Sequence, residues 1–293
     1  MIRLGTRGSA LALAQARLVA AALDDEVDLV PIETSGDAPR GAQLDKSRFV
    51  KEIEEALLAG EIDLAVHSAK DVPSDLPAGL AIVGVPPRAD PRDALCGAAS
   101  LSDLAEGAAV GTGSLRRRAQ LLALRPDLDV RELRGNVDTR LRRLAEGRFA
   151  AIVLAQAGLD RLGRPGDGAR LAELVPAPGQ GCLALEARAG DERAAVAAAG
   201  VTDRAALTCL TAERALVAAL GATCRTPIGA HAELADGVLG LTAFAGMPDG
   251  SHWIRDSHEG DPAEPGSLGR AVGERLAAAG GRELLDAAER AAA

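Results

Sequence analysis

The chain has 293 residues and a formal net charge of −9, and 47% of its residues are hydrophobic. A chain of this length is expected to form two or three domains with sizeable cores. The negative charge argues against nonspecific binding to nucleic-acid phosphates, and the absence of Tyr leaves few rings on which bases could stack. We therefore expect no nucleic-acid partner.

The start of the chain and its cysteines bear on the cellular compartment. Residues 1–5 read directly as a strand, without a basic region followed by an apolar stretch, and no uncharged apolar run in the sequence is long enough to span a bilayer. The four cysteines form no Cys-x-x-Cys pair and have no histidine at metal-ligand spacing. We expect a cytoplasmic protein without a membrane contact, a disulfide framework or a metal site.

Strands alternate with amphipathic helices through the first two thirds of the chain. The pattern predicts a strand, a helix capped by Ser9, a strand, a helix and a buried strand, at residues 2–5, 9–23, 27–33, 49–59 and 62–66. The rhythm then repeats, with strands at residues 108–110, 128–133 and 150–154 and helices that begin at Ser114 and Val137. This βαβ order predicts two α/β domains with mostly parallel sheets.

Proline-rich stretches at residues 86–91 and 176–179 predict the joints between domains. A strand at residues 182–187 could return to the first sheet, which would make the first domain discontinuous. The last third predicts a helix at residues 204–220, then an antiparallel sheet and two more helices, which form a small α+β domain. The predicted domains are residues 1–86 with 181–200, residues 91–178, and residues 203–293.

Arginine-bearing turns follow three of the predicted strands. They read Gly-Thr-Arg-Gly-Ser at residues 5–9, Gly-Thr-Gly-Ser-Leu-Arg-Arg-Arg at 111–118 and Arg-Gly-Asn-Val-Asp-Thr-Arg at 134–140. A helix N-terminus attracts anions, and arginine holds carboxylates in a planar fork. These arginines could be solvated on helix surfaces. Their recurrence at strand ends favours a cleft between the two domains that binds a compound with several carboxylates.

Two further segments could carry chemistry. A buried strand ends in the run His-Ser-Ala-Lys-Asp at residues 67–71, which fits either a surface Lys–Asp pair or an acid–base carboxylate beside a cation. Cys224 lies in a loop flanked by glycine and proline, next to Arg225, and a nearby cation favours the nucleophilic thiolate. An idle loop cysteine is the alternative. We expect the other three cysteines to be core residues.

Together these segments resemble the hydroxymethylbilane synthase (porphobilinogen deaminase) family over nearly the whole chain. The matching runs are residues 6–9, 65–73, 90–94, 111–117, 133–140, 157–161, 179–181, 211–214 and 224–229. The resemblance implies two α/β domains similar to the lobes of periplasmic binding proteins, with the active cleft between them. It also implies a small C-terminal α+β domain that carries the cofactor cysteine.

The resemblance further implies the reaction and the residues that perform it. Four porphobilinogen molecules would be condensed stepwise, with loss of ammonia, on a dipyrromethane cofactor bound by a thioether to Cys224, and hydrolysis would release hydroxymethylbilane. Asp71 would be the catalytic acid–base group. The residues that would bind the cofactor and substrate are Arg7, Ser9, Ser68, Lys70, Thr112, Ser114, Arg116, Arg117, Arg134, Arg140, Arg161 and Gln180. The family is typically monomeric.

The sequence departs from the family pattern in two places. Residues 45–48 read Asp-Lys-Ser-Arg where the family often has Gly-Lys-Gly before the phenylalanine at position 49, and Gly113 replaces a common serine. Neither change removes a predicted catalytic group. A non-catalytic two-lobed binding protein for a polycarboxylate is the alternative function, and an inactive relative that retains the cofactor is a further one. The retained Lys70 and Asp71 argue against the inactive relative.

Overall fold

The protein is described by a computed structural model that covers residues 1–34, 50–223 and 226–291. Cys224, the predicted site of cofactor attachment, and the loop at residues 37–48 lie outside these described residues. Within the described ranges, no helix is both long enough and apolar enough to cross a membrane. The strands form three separate sheets.

The first sheet is built by β1 (Ile2–Arg7), β2 (Val27–Ile32), β3 (Leu64–Ser68), β4 (Leu80–Gly84) and β10 (Leu183–Arg188). Their order is β2-β1-β3-β10-β4. β1 is parallel to β2 and β3, whereas β10 is antiparallel to β3 and β4. One face packs against α1 (Ala10–Ala22) and α6 (Glu192–Gly200), and the other against α2 (Lys51–Leu58). We call this unit the first lobe.

The second lobe repeats this strand order. It contains β5 (Asp93–Cys96), β6 (Ala109–Thr112), β7 (Asp129–Glu132), β8 (Ala151–Ala155) and β9 (Ala169–Leu171), in the order β7-β6-β8-β5-β9. Its helices are α3 (Leu115–Leu124), α4 (Val137–Ala145) and α5 (Gln156–Arg161). In each sheet the fourth strand of this order, β10 in the first lobe and β5 in the second, is antiparallel to its neighbours. It is the first strand that the chain forms after it crosses from the other lobe.

The two crossings lie side by side. Ala89 N donates to Gly181 O at 3.2 Å. Gly181 has a φ of +90°, and a Cβ at this position would collide with the Ala89 carbonyl oxygen. Only glycine combines this backbone conformation with so close an approach. The crossings therefore form a paired connection between the lobes.

The C-terminal unit is the predicted α+β domain. It contains α7 (Arg204–Leu220), then the antiparallel strands β11 (Ile228–Ala235), β12 (Val238–Gly246) and β13 (Trp253–Gly260), then α8 (Pro265–Ala278) and α9 (Gly281–Ala291). The buried faces of α7 and α8 share one core with the sheet. The predicted fold class, two α/β lobes with a small C-terminal α+β unit, is confirmed.

The helix starts predicted near Ser9, Ser114 and Val137 are confirmed, since the side chains of Ser9, Ser114 and Asn136 each accept a hydrogen bond from a backbone N–H of the following turn. β10 does belong to the first sheet. The exact domain limits remain a prediction. Five elements were not predicted, because they are short or lack a clear period: β4, β5, β9, α5 and α6.

One buried ion pair joins all three units. Arg88 in the first crossing lies 2.6 Å from Glu213 on α7, measured from Nη1 to Oε1. Glu213 also accepts from Gly179 N in the second crossing at 2.6 Å and from Ala232 N in β11 at 2.8 Å. Burial alone would raise the pKa of Glu213, but the Arg88 charge and the hydrogen bonds of His231 and Arg88 together outweigh it, and the pKa is lowered.

Glu213→Gln should destabilise the protein strongly, because it leaves the buried Arg88 charge uncompensated. We expect a loss of about 3–5 kcal/mol in the free energy of unfolding, from denaturant titration followed by circular dichroism. The control is Asp129→Asn, which breaks the exposed pair with Arg131 and should cost at most about 1 kcal/mol. Equal losses in the two variants would contradict the prediction.

The first lobe buries a second charged cluster, on the α2 face of its sheet. His67 Nε2 on β3 lies 3.0 Å from Glu186 Oε2 on β10, and both side chains are buried. Glu54 on α2 is buried beside them. Burial, followed by the repulsion of Glu186, raises the pKa of Glu54 from 4.5 to about 7.

This raised pKa predicts a pH dependence of stability. Between pH 4.5 and about 7 the unfolded chain has ionised Glu54 while the folded protein still holds its proton, so stability falls as the pH rises through this window. Glu54→Gln should remove that fall, worth at most about 3 kcal/mol. Unfolding midpoints at pH 5 and pH 8 measure it. Glu55→Gln, on the exposed side of the same helix, should keep the wild-type dependence.

Candidate active site

The predicted site residues lie at the carboxyl ends of the parallel strands of both lobes. β1 ends at Arg7, β3 runs into the turn that holds Lys70 and Asp71, and β6 ends at Thr112. Two of these strands are followed by helices whose first turn is capped by a serine side chain. Ser9 accepts from Ala12 N at 3.3 Å, and Ser114 accepts from Arg117 N at 3.4 Å.

Asp71 closes a short 3₁₀ turn, Ala69–Asp71, directly after β3. Gly179 of the second crossing packs against this turn. Its φ is +72°, and a Cβ there would lie 3.0 Å from Lys70 N, so a larger residue would push the turn away. Ser68, at the end of β3, accepts from Gln15 Nε2 at 2.8 Å. The turn that holds Asp71 is thus tied both to α1 and to the crossing.

A hydrogen-bonded bridge links the lobes beside Asp71. Lys70 Nζ donates to Gln180 Oε1 at 3.3 Å. The Gln180 Nε2 donates in turn to Asp93 Oδ1 at 2.9 Å and to Pro91 O at 2.7 Å. Gln180 therefore links Lys70 of the first lobe, through hydrogen bonds, to Asp93, the first residue of β5 in the second lobe.

Arg116 and Arg117 both bind Asp93. Arg116 Nη1 and Nη2 donate to the two Asp93 oxygens at 2.8 Å and 3.1 Å, and Arg117 Nε donates to Oδ1 at 2.9 Å. Burial would raise the pKa of the Asp93 carboxyl, but the two guanidinium charges hold it well below its usual range. Arg116 Nη1 also donates to Val175 O, and Arg117 Nη1 to Val153 O.

Because Asp93 already binds part of each guanidinium, the prediction that Arg116 and Arg117 bind ligand carboxylates now depends on their remaining N–H donors. Each guanidinium has five N–H donors, and the bonds to Asp93 and to the backbone leave some of them over. Arg116 Nε is buried and has no hydrogen-bond partner within the described part of the chain. Sequence reasoning gave Asp93 no role, although it lies in the Asp-Pro-Arg-Asp-Ala run at residues 90–94. A carboxylate in an otherwise apolar strand was the signal that it missed.

The remaining predicted arginines differ in their surroundings. Burial, and then repulsion by Arg117 and Arg143, lowers the pKa of Arg140 to about 10, while the Asp71 charge opposes the shift. Arg140 of the second lobe is thus within electrostatic reach of Asp71 in the first. Arg161 donates to Gly181 O at 2.7 Å. Arg134 is more exposed and pairs with Glu132 at 2.6 Å, so a ligand must compete for it.

Cations exceed anions where the two lobes meet. Arg117 and Arg143 both repel Arg140, while Asp71 opposes this effect and Asp93 offsets the charge of Arg117. A ligand with several carboxylates would relieve this repulsion. The fold and the site define a two-lobed protein whose lobe junction gathers arginines that suit a ligand with several carboxylates.

Comparison with known proteins gives the family. Residues 2–196 match the family model "Porphobilinogen deaminase, dipyromethane cofactor binding domain", and residues 207–278 match "Porphobilinogen deaminase, C-terminal domain". The chain is 48% identical to the porphobilinogen deaminase of Thermus thermophilus, over 97% of this chain and 98% of that protein. It is 45% identical to that of Thiobacillus denitrificans, over 98% of both chains. The chain belongs to the porphobilinogen deaminase family.

Among solved structures, a nutrient binding protein from Burkholderia cenocepacia bound to methionine is similar. It is 15% identical, with a TM-score of 0.42 over 68% of this chain and 91% of that chain.

The described residues fit the cofactor of this family. A dipyrromethane built from porphobilinogen carries acetate and propionate groups, and the donors that suit them are the arginines at the lobe junction. The buried, unpartnered Nε of Arg116 and the mutual repulsion around Arg140 both indicate room for added negative charge. Arg116, Arg117, Arg140 and Arg161 are therefore the residues that could hold the cofactor's carboxylates.

Proposed function

We propose that this chain is a hydroxymethylbilane synthase. It condenses four porphobilinogen molecules on dipyrromethane, with loss of ammonia, and releases hydroxymethylbilane by hydrolysis. The observation that carries the proposal is the position of Asp71. Its turn lies at the junction of the lobes, within electrostatic reach of Arg140 and next to the bridge from Lys70 to Asp93.

Asp71 is the proton-transfer group in this proposal. Its carboxylic acid gives a proton to the amine that leaves porphobilinogen, and a positioned acid speeds such a step by about 10²–10⁴-fold. The resulting carboxylate stabilises the positive charge that develops on the pyrrole nitrogen. It then takes the proton that the newly joined ring carbon must lose. The dipyrromethane, when bound, would supply the terminal pyrrole to which the first substrate ring is joined, and each later ring would join the ring added before it.

The side chains around Asp71 divide into two groups in this proposal. Arg116, Arg117, Arg140 and Arg161 bind acetate and propionate groups, together with Arg7 and Arg134 at the strand ends. Lys70 and Gln180 hold the two lobes in register beside Asp71. Ser9, Ser114 and Thr112 fix the helix starts and the turn at which the carboxylates bind.

Mass spectrometry of the purified protein with porphobilinogen tests the function. We expect the protein to gain the mass of one pyrrole unit per condensation, and to release four molecules of ammonia for each product molecule. A non-catalytic polycarboxylate-binding protein, the alternative function, would bind porphobilinogen without releasing ammonia or changing its own mass. That result would overturn the proposal.

Arg140→Lys should stall chain growth. Lysine keeps the charge but loses the planar fork, which holds a carboxylate at two points. We expect covalent intermediates to accumulate part-way, seen as discrete steps in the intact mass. Arg131→Lys is the control, because Arg131 is exposed on β7 and pairs with Asp129. Wild-type turnover in Arg140→Lys would contradict the carboxylate-binding role.

We also propose that the enzyme acts as a monomer in the cytoplasm. The free, buried Cys96, Cys182 and Cys209 suit a reducing compartment, and the family that the sequence resembles is typically monomeric. Light scattering on the purified protein tests the oligomeric state, and a mass near twice the 29.8 kDa of the chain would contradict it.

A further inference from the structure

Arg214 reaches from the C-terminal unit to the backbone that follows Asp71. Its Nη1 donates to Val72 O at 3.3 Å, and its Nη2 donates to Pro73 O at 2.7 Å and Ser74 O at 3.0 Å. These carbonyls belong to the three residues directly after Asp71. One guanidinium therefore fixes the path of the chain as it leaves the catalytic turn.

The charge that faces Arg214 comes from the first lobe. Glu186 on β10 is completely buried, and neither of its oxygens accepts a hydrogen bond from the described residues. Burial lowers the pKa of Arg214, while Glu186 and then Asp75 oppose that shift, so both carboxylates are within electrostatic reach of the guanidinium. Glu186 is buried whereas Asp75 is exposed, so Glu186 is the partner that solvent screens least.

His67 completes the arrangement on the same strand that carries the catalytic turn. Its Nε2 lies 3.0 Å from Glu186 Oε2, and Asp71 follows it by four positions along the chain. Glu54 and Glu55 on α2 are the other titratable groups that act on this cluster. The cluster therefore joins α2, β3 and β10 within the first lobe.

We propose that Arg214 is a positioning residue for Asp71, and that it acts through its hydrogen bonds to the three carbonyls that follow that residue. The inference rests on the proposed role of Asp71 as the proton-transfer group. It assigns a role to an arginine that is not among the carboxylate-binding arginines. It also gives the C-terminal unit a part in the chemistry other than carrying the cofactor cysteine.

The physical reason is that proton transfer is sensitive to distance. A misplacement of about 1 Å at a reacting group costs about 100-fold in rate. The turn at residues 69–71 is short, and without Arg214 the carbonyls after it would bond to water. The guanidinium replaces these mobile water molecules with one partner of fixed position.

The test compares Arg214→Met with Arg188→Met in the cofactor-loaded enzyme. Arg188, in the same lobe as Asp71, is a matched control, since it also donates to two backbone carbonyls, Leu57 O and Ile62 O, and pairs with Asp191. We expect kcat to fall about 100-fold in Arg214→Met, with KM for porphobilinogen changed by less than about twofold. Arg188→Met should lose thermal stability but keep kcat within about twofold of wild type.

Hydrogen exchange gives a readout that does not depend on turnover. Peptides that contain residues 69–75 should exchange faster in Arg214→Met than in wild type and not in Arg188→Met. If Arg214→Met does not fold, Arg214→Lys takes its place, with an expected loss in kcat of about tenfold, since lysine can retain one of the hydrogen bonds to the carbonyls. Unchanged exchange in residues 69–75, or a kcat near wild type in the folded variants, would overturn the proposal.

Asp71→Asn, measured in parallel, separates the two levels of inference. If Asp71→Asn retains turnover, the proposed role of Asp71 fails. If Asp71→Asn is inactive while Arg214→Met is fully active, only the positioning role of Arg214 fails.

Discussion

Asp71→Asn should fold and should lose nearly all turnover of porphobilinogen. Asparagine is nearly isosteric with aspartate, but it cannot give or take a proton and cannot stabilise a cation by charge. Because general acid–base catalysis contributes about 10²–10⁴-fold, and charge stabilisation adds to it, we expect a rate loss of at least about 10³-fold. Ammonia release measures the rate, and circular dichroism checks the fold.

The matched control for this variant is Asp75→Asn. Asp75 lies four residues beyond Asp71 and is exposed, so the same change there should leave the rate within about twofold of wild type. If Asp71 only paired with a cation to fix the strand end, turnover in Asp71→Asn would follow the amount of folded protein. A folded Asp71→Asn enzyme with a near-normal rate would contradict the mechanism.

Cys224→Ser should abolish covalent attachment of the cofactor. The wild-type protein is expected to exceed its sequence mass by two pyrrole units, and the variant should match its own sequence mass. The thiolate is the nucleophile in thioether formation, and the other cysteines are poor sources of it. Cys96, Cys182 and Cys209 are 0%, 1% and 6% exposed. Burial raises the pKa of Cys96 to about 11 and that of Cys182 to about 12.

Intact mass spectrometry decides this prediction. Cys209→Ala is the control, because Cys209 is buried on α7 and its pKa is likewise raised by burial. That variant should keep the full excess mass. Excess mass that persists in Cys224→Ser, or that maps to Cys96 after digestion, would show that the attachment site is assigned wrongly.

Periodicity predicted much of the fold because the lobes are built from repeated strand–helix units. The helix starts near Ser9, Ser114 and Val137 were predicted correctly, because a capping side chain bonds to the backbone of the turn that follows it. β9 has three residues and was not predicted, because so short a strand is defined by its partner β5 rather than by its own pattern.

The site was less predictable than the fold, because its contacts join distant parts of the chain. The arginine turns could be recognised locally. That Arg116 and Arg117 share Asp93 could not be predicted, because Asp93 lies more than twenty residues earlier in the chain. Gln180 was expected in the cleft through the family resemblance, but its bonds to Lys70 and Asp93 depend on both crossings lying side by side. Sequence analysis gave Arg214 no role, because its partners are backbone carbonyls, which any residue supplies.

The first sheet can be completed only late in synthesis, because the chain leaves the first lobe to form the second and then returns. β10 lies between β3 and β4, so the first sheet stays in two pieces until residues 183–188 have left the ribosome. By then every strand of the second lobe has been made, and the N-terminal half of the chain has waited with unpaired strand edges. Such edges invite aggregation, so a nascent or truncated chain that ends before β10 is the form of this protein most in need of a chaperone.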